Sequence, residues 1–181
     1  MEKPNSLQPA GLMARVKKCL PRQTLMVSSA LVLAMAVSAC STTPPPASSD
    51  YRTPSRLSPD QANDVTLTAI GLVGTPYRYG GNTPSSGFDC SGLIGYVYKT
   101  RASIVPPRSV SGLVDWGTPI QPDEVRTGDL AIFLQGSSAT HAGIYVGDGR
   151  FVHAPSTGGV VRLDPLKSKY WATQPVVFRR P

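Results

Sequence analysis

The chain of 181 residues is 40% hydrophobic, 16% charged and 7% aromatic, with 18 prolines, three cysteines and a formal charge of +7. That length suits one ordinary domain with extra segments, because a single core of roughly 100–150 residues is the usual unit. Three cysteines exclude a disulfide-rich scaffold, so apolar burial must hold the fold, and the aperiodic glycines and prolines exclude collagen and coiled coil.

The first 24 residues carry Lys3, Arg15, Lys17, Lys18 and Arg22, after which Leu25 to Ala39 runs without a charge. As a helix, that run would span about 22 Å against a hydrocarbon core of roughly 30 Å, so it reads as the apolar part of a signal peptide over 1–39. Val37-Ser38-Ala39-Cys40 fits a bacterial lipoprotein signal: small residues enter the peptidase cleft and the Cys40 thiol receives the lipid. Residues 40–57, with Pro44, Pro45, Pro46 and Pro54 among serines and threonines, cannot build a core and read as a lipidated tether. Ser41 beside the lipidated cysteine favours the outer membrane, with the folded part facing the periplasm. Residues 1–39 hold five basic and one acidic residue, so the remaining chain carries only +3, which leaves nucleic-acid binding little motive.

The expected domain covers 58–181. Ser58-Pro59-Asp60 marks a helix start, Ala62, Val65, Ala69, Leu72 and Val73 form its apolar stripe, and Gly74-Thr75-Pro76 stops it. A glycine-rich loop over 77–88 precedes a second helix from about Cys90 to Thr100, with Leu93, Ile94, Val97 and Tyr98 buried. The stretch with Pro106 and Pro107 reads as irregular. Short apolar runs follow at 130–134, 142–146, 150–154, 160–163 and 176–180. Helices first and strands afterwards predict an α+β fold, with N-terminal helices packed on an antiparallel sheet.

With Cys19 removed in the leader and Cys40 acylated, Cys90 is the remaining thiol, and the chain has two histidines, His141 and His153. Cys90 stands at a predicted helix start, where unpaired N–H groups and the dipole favour a thiolate. Asp89 would oppose that charge and is assigned to capping the helix. A two-residue Asp148-Gly149 turn pairing Gly147 with Arg150 would set the two histidines on opposite faces. A three-residue loop over 147–149, or an equivalent bulge, sets His153 opposite Gly143 and brings both imidazoles to one face.

The elements GTPYRYGG (74–81), FDCSGLI (88–94), VPPRS (105–109), RTGDLAIF (126–133) and HAGIYVGDGRFVHAPSTGG (141–159) together resemble the NlpC family of bacterial cell-wall cysteine peptidases. The resemblance spans the predicted domain and implies a papain-like fold, with Cys90 as nucleophile, His141 as general base, His153 as the residue orienting the base, and Tyr77 lining the site and assisting the oxyanion. It implies no cofactor, and as substrate peptidoglycan stem peptides, cleaved at a stem or cross-link amide bond. His141 would take the Cys90 proton, the sulfur would attack a carbonyl, and water would later clear the thioester.

Arg78, Arg108 and Arg126 are candidates to meet stem carboxylates. A monomer is expected, anchored to the membrane through Cys40. Other readings are a zinc site at Cys90, His141 and His153, which lacks a fourth ligand and a closely spaced pair, an inactive wall-binding lipoprotein, and an acyltransferase or amidase using the same thiol.

Overall fold

A computed structural model describes residues 53–156 and 158–181. The stretches expected as signal peptide (1–39) and, up to residue 52, as lipidated tether lie outside the described residues; the end of the expected tether is instead part of the domain, with the Ser55 hydroxyl and Arg56 N–H donating to Pro181 O and Leu57 buried in the core.

Helix α1 (Pro59–Gly71) opens as its sequence demands. The Ser58 hydroxyl accepts from the Gln61 N–H at 3.2 Å, the Gln61 side chain accepts from the Ser58 N–H at 2.9 Å, and Pro59 takes a first-turn position where no N–H is needed. Val65 and Ala69 are fully buried. Val73 is not part of that stripe: the helix ends at Gly71, so Val73 leaves the helical register and is 44% exposed. The chain then meets the far side of the domain, Gly74 N–H donating to Val161 O and Val161 N–H to Thr75 O.

The glycine-rich loop contains a small ribbon, β1 (Asn82–Thr83) against β2 (Gly87–Phe88). Helix α2 (Cys90–Ala102) follows, with Leu93, Ile94, Val97 and Tyr98 fully buried, and it closes on Ser103 in the left-handed region, two residues beyond the expected end. The stretch expected to be irregular holds a short helix α3 (Val110–Val114), capped by the Ser109 hydroxyl on Gly112 N–H at 3.1 Å, and strand β3 (Thr118–Ile120). A five-residue helix and a three-residue strand are too short to show a period in sequence. Among the described residues, no helix is long and apolar enough to cross a membrane.

The main sheet comprises β3, β4 (Leu130–Gln135), β5 (Ser138–Gly147), β6 (Arg150–His153), β7 (Arg162–Pro165) and β8 (Val176–Arg180), in the order β3-β8-β4-β5-β6-β7 with every pair antiparallel. Strand β7 lies two residues later than the expected 160–163, because Val160 and Val161 are taken up by the exit of α1: Val160 bridges Pro76 and Val161 bonds to Thr75. Alternation along the strands divides the core. Leu130, Ile132, Ala142, Ile144, Val152 and Ala154 pack with the buried residues of α1 and α2, whereas Ala131, Phe133, Phe151, Trp171 and Phe178 form a second cluster. A buried pair, Arg180 bidentate on Asp129 at 3.0 and 2.9 Å, joins the end of β8 to the entry of β4.

The β5–β6 hairpin decides which face carries the histidines. Its turn is the two-residue Asp148-Gly149, both at positive φ (49° and 66°), with Gly147 paired to Arg150. That turn alone would separate the imidazoles. The register shifts between Tyr145 and Gly147, however, so that Val146 is the extra residue of a bulge, Tyr145 pairs with Phe151 and Ile144 with Val152. Everything upstream moves by one position, and both histidines come to the face of Phe133, Phe151 and Trp171.

Candidate active site

Two halves meet at this site. Cys90 is the first residue of α2 and is half-buried. Asp89 caps the helix, its Oδ1 accepting from Gly92 N–H at 2.7 Å and its Oδ2 from Gly80 N–H at 2.8 Å. Arg108 holds the same carboxylate in a fork, at 2.7 Å to Oδ1 and 2.9 Å to Oδ2, and also donates to Gly81 O and to the Ser91 hydroxyl. These hydrogen bonds give the VPPRS element a part in positioning the helix start, while Arg108, with its side chain 45% exposed, also lines the cleft that holds Cys90.

The second half stands on strands. His141 (β5) and His153 (β6) meet through Nε2 and Nδ1 at 2.9 Å, with the rings nearly perpendicular at 84°. Gly143 permits that meeting: a Cβ there would come within 2.6 Å of the Phe151 ring, 2.7 Å of Val152 O and 3.1 Å of the His153 Cβ. The His141 ring stacks on Trp171 at 19° and His153 on Phe151 at 26°.

The halves join at Ala142, whose backbone N–H is directed at the Cys90 sulfur from the residue beside His141. Among the described residues, no hydrogen bond links that sulfur to His141. Contacts between a nucleophile and its base commonly tighten only when substrate is bound. Tyr77 is half-buried and, with Tyr79, Gly80, Cys90, Ser91 and Thr140, lines a cleft of about 560 Å³.

The electrostatics correct one expectation. The thiol at the helix start is not lowered: burial and then the Asp89 charge push the Cys90 pKa up, against smaller help from the N–H groups of Ser91, Ala142 and Cys90 itself. Burial, then the neighbouring His153, drives His141 down to about 3. At neutral pH both groups therefore rest uncharged. The Tyr77 hydroxyl is raised, first by burial and then by Cys90 and Asp89, and stays protonated as a hydrogen-bond donor. Among the described residues, no group of three or more His, Cys, Asp or Glu side chains is arranged to hold a metal ion.

Sequence reasoning missed Asp164. Strand β7 pairs His153 with Arg162 and Phe151 with Asp164, so Asp164 is the diagonal neighbour of His153, and its Oδ2 lies 3.0 Å from His153 Nε2. Trp171 Nε1 donates to the same oxygen at 3.0 Å, and Arg162 pairs with it as well. The alternation of Arg162 and Asp164 in a strand-like stretch is visible in sequence, but the connection between the two strands leaves their register open.

Residues 74–180 match the NlpC/P60 family. The chain is 41% identical over 112 residues to the murein DD-endopeptidase MepH of Escherichia coli, covering 60% of this chain and 41% of that protein. It is 39% identical over 120 residues to a gamma-DL-glutamyl hydrolase of Bacillus subtilis, covering 64% and 29%. The chain thus spans less than half the length of these curated relatives. A crystal structure of an NlpC/P60 family protein from Bacillus cereus superposes with a TM-score of 0.62 at 30% identity, over 72% of this chain and 41% of that one. With a family match over more than half of its length, on an α+β fold shared with that solved structure, the chain belongs to the NlpC/P60 family.

Proposed function

We propose that the protein is a peptidoglycan hydrolase, a cysteine endopeptidase that cleaves stem-peptide or cross-link amide bonds of murein. The observation that carries the reading is the hydrogen-bonded His141–His153 pair placed one residue from the N–H that points at the Cys90 sulfur. Cys90 is the nucleophile. His141, with its Nε2 engaged by His153, takes the thiol proton on its other ring nitrogen as the sulfur adds to the carbonyl carbon. The negative charge that develops on the carbonyl oxygen is met by the backbone N–H of Cys90 and by the Tyr77 hydroxyl. Collapse of the tetrahedral species expels the amine, which leaves with the proton from His141. Water, deprotonated by His141, then hydrolyses the thioester and restores the thiol. Neutral resting groups suit this order, because the ion pair need form only when the carbonyl is in place.

The same reading takes the protein as a monomeric lipoprotein, anchored through Cys40 to the outer membrane and facing the periplasm. It is supported by the apolar run 25–39, by Val37-Ser38-Ala39-Cys40 and by Ser41. Incorporation of labelled palmitate that disappears in Cys40→Ala is the expected result.

The test of activity is mass spectrometry of muropeptides after incubation of purified peptidoglycan under reducing conditions. Wild type is expected to release products that identify the severed amide bond, and Cys90→Ala to release none. Identical profiles for the two would sink the proposal. New amides or esters without net hydrolysis would show acyl transfer instead.

A further inference from the structure

We propose that Asp164 is a positioning residue that sets the proton arrangement of both imidazoles, through a hydrogen-bonded chain running Asp164, His153, His141 and ending on the nitrogen that serves Cys90. The inference rests on the hydrolase reading for its consequence in catalysis, but its geometric content stands apart from that reading.

The direction of the chain follows from what each group can do. Trp171 Nε1 can only donate, and the Arg162 guanidinium can only donate; both converge on Asp164 Oδ2. That oxygen is therefore an acceptor, in keeping with a carboxyl held below its ordinary value by Trp171, His153 and Arg162 against the opposing effect of burial. The third contact to Oδ2, at 3.0 Å, must then be a donation from His153 Nε2–H. A neutral imidazole carries one proton, so His153 Nδ1 is left as an acceptor. Its only partner among the described residues, at 2.9 Å, is His141 Nε2, which must supply the proton. His141 Nδ1 is then bare, the state a general base requires.

Without Asp164 the opposite arrangement becomes available. His153 could carry its proton on Nδ1 and donate to His141 Nε2, which would place the His141 proton on Nδ1 and leave it unable to receive another from the thiol. Burial makes the carboxylate decisive. The His153 side chain is fully buried, so no bulk water reaches it to exchange one arrangement for the other. Trp171 contributes twice: its indole N–H holds Asp164, and its ring stacks on His141. After proton transfer, Asp164 also stabilises the positive charge shared by the two imidazoles.

The chain has only two histidines, so ¹⁵N shifts of the ring nitrogens of the full-length protein, prepared without a histidine tag, read both arrangements directly at neutral pH. Wild type is expected to show protonated Nε2 and bare Nδ1 on both rings. Asp164→Ala is expected to mix or reverse the two forms and to lower kcat by about 10- to 100-fold with little change in KM, by analogy with the hydrogen-bond partners of metal-binding histidines. Asp164→Asn keeps an acceptor oxygen and is expected to restore the wild-type spectrum and most of the lost kcat. A protonated Nδ1 on His153 in wild type, or unchanged spectra in Asp164→Ala, overturns the inference. Should Asp164→Ala fail to fold, the wild-type spectrum and Asp164→Asn still decide. If no peptidoglycan is cleaved by wild type, the hydrolase reading falls while the spectra continue to test the proton chain.

Discussion

The two halves of the candidate site are held by opposite means. Cys90 owes its place to polar contacts at a helix start: the Asp89 carboxylate takes N–H groups from Gly80 and Gly92 and the fork of Arg108, whose side chain is 45% exposed. The imidazoles owe theirs to strands and aromatic rings, with His153 fully buried between Phe151 and Trp171. An open polar frame keeps the thiol within reach of a bulky substrate. A closed apolar one keeps water from scrambling the protons on the base. The site is therefore expected to be asymmetric in what disturbs it.

The largest effect should come from the imidazole half. His141→Ala removes the base and is expected to reduce kcat by about 10²- to 10⁴-fold, with the fold retained, as measured by muropeptide release and circular dichroism. An unchanged kcat in a folded His141→Ala would place His141 outside the thiol's proton path. Gly143→Ala forces a methyl against the Phe151 ring, the Val152 carbonyl and His153. Overpacking of that kind costs about 1–3 kcal/mol and should also part the two rings, so the midpoint of urea unfolding and kcat should fall together.

On the thiol side, Asp89→Ala loses the N-cap and leaves Arg108 without its carboxylate. A cap alone is worth about 1 kcal/mol, and the half-exposed guanidinium can turn to water, so the total is expected near 2 kcal/mol in urea unfolding. The spectrum of the imidazoles should stay unchanged, since their frame lies elsewhere. Loss of the Asp89 charge removes one cause that raises the thiol, so iodoacetamide should alkylate Cys90 faster at neutral pH.

A smaller effect is set by pH. The unfolded chain protonates His141 near 6.5, whereas the folded protein does so only near 3. Between those values the unfolded state binds more protons, so stability is full above about pH 6.5 and declines on acidification. From pH 6.5 to 5 the loss attributable to His141 is about 2 kcal/mol. Comparison of wild type with His141→Gln isolates it from the other titrating groups, and equal pH slopes for the two would show that the base is not held neutral by burial.

Much of this architecture is legible along the chain, because the signals are local. Ser58-Pro59 with Gln61 specifies a capped helix start, the spacing of Leu93, Ile94, Val97 and Tyr98 marks one buried helix face, and Asp89 just before Cys90 provides the cap at the thiol. The short elements α3 and β3 are less legible, since pieces of five and three residues carry too few positions to show periodicity. The shift of β7 is also invisible, because Val160 and Val161 are as apolar as any strand and only the passing chain at Thr75 and Pro76 diverts them.

By itself the sequence determined an isolated thiol at a helix start, a pair of histidines in strand-like runs, and a helix-then-strand order that leads to an antiparallel sheet. Those depend on residue type and near-neighbour spacing, which the chain states directly. Tertiary structure alone decided that Val146 bulges, so that His141 and His153 share a face, that Arg108 is bound to Asp89, and that Asp164 stands behind His153. The first and last depend on strand register, where a one-residue slip sends a side chain to the other face of the sheet, and the second on how the stretch before Arg108 folds back past the helix start.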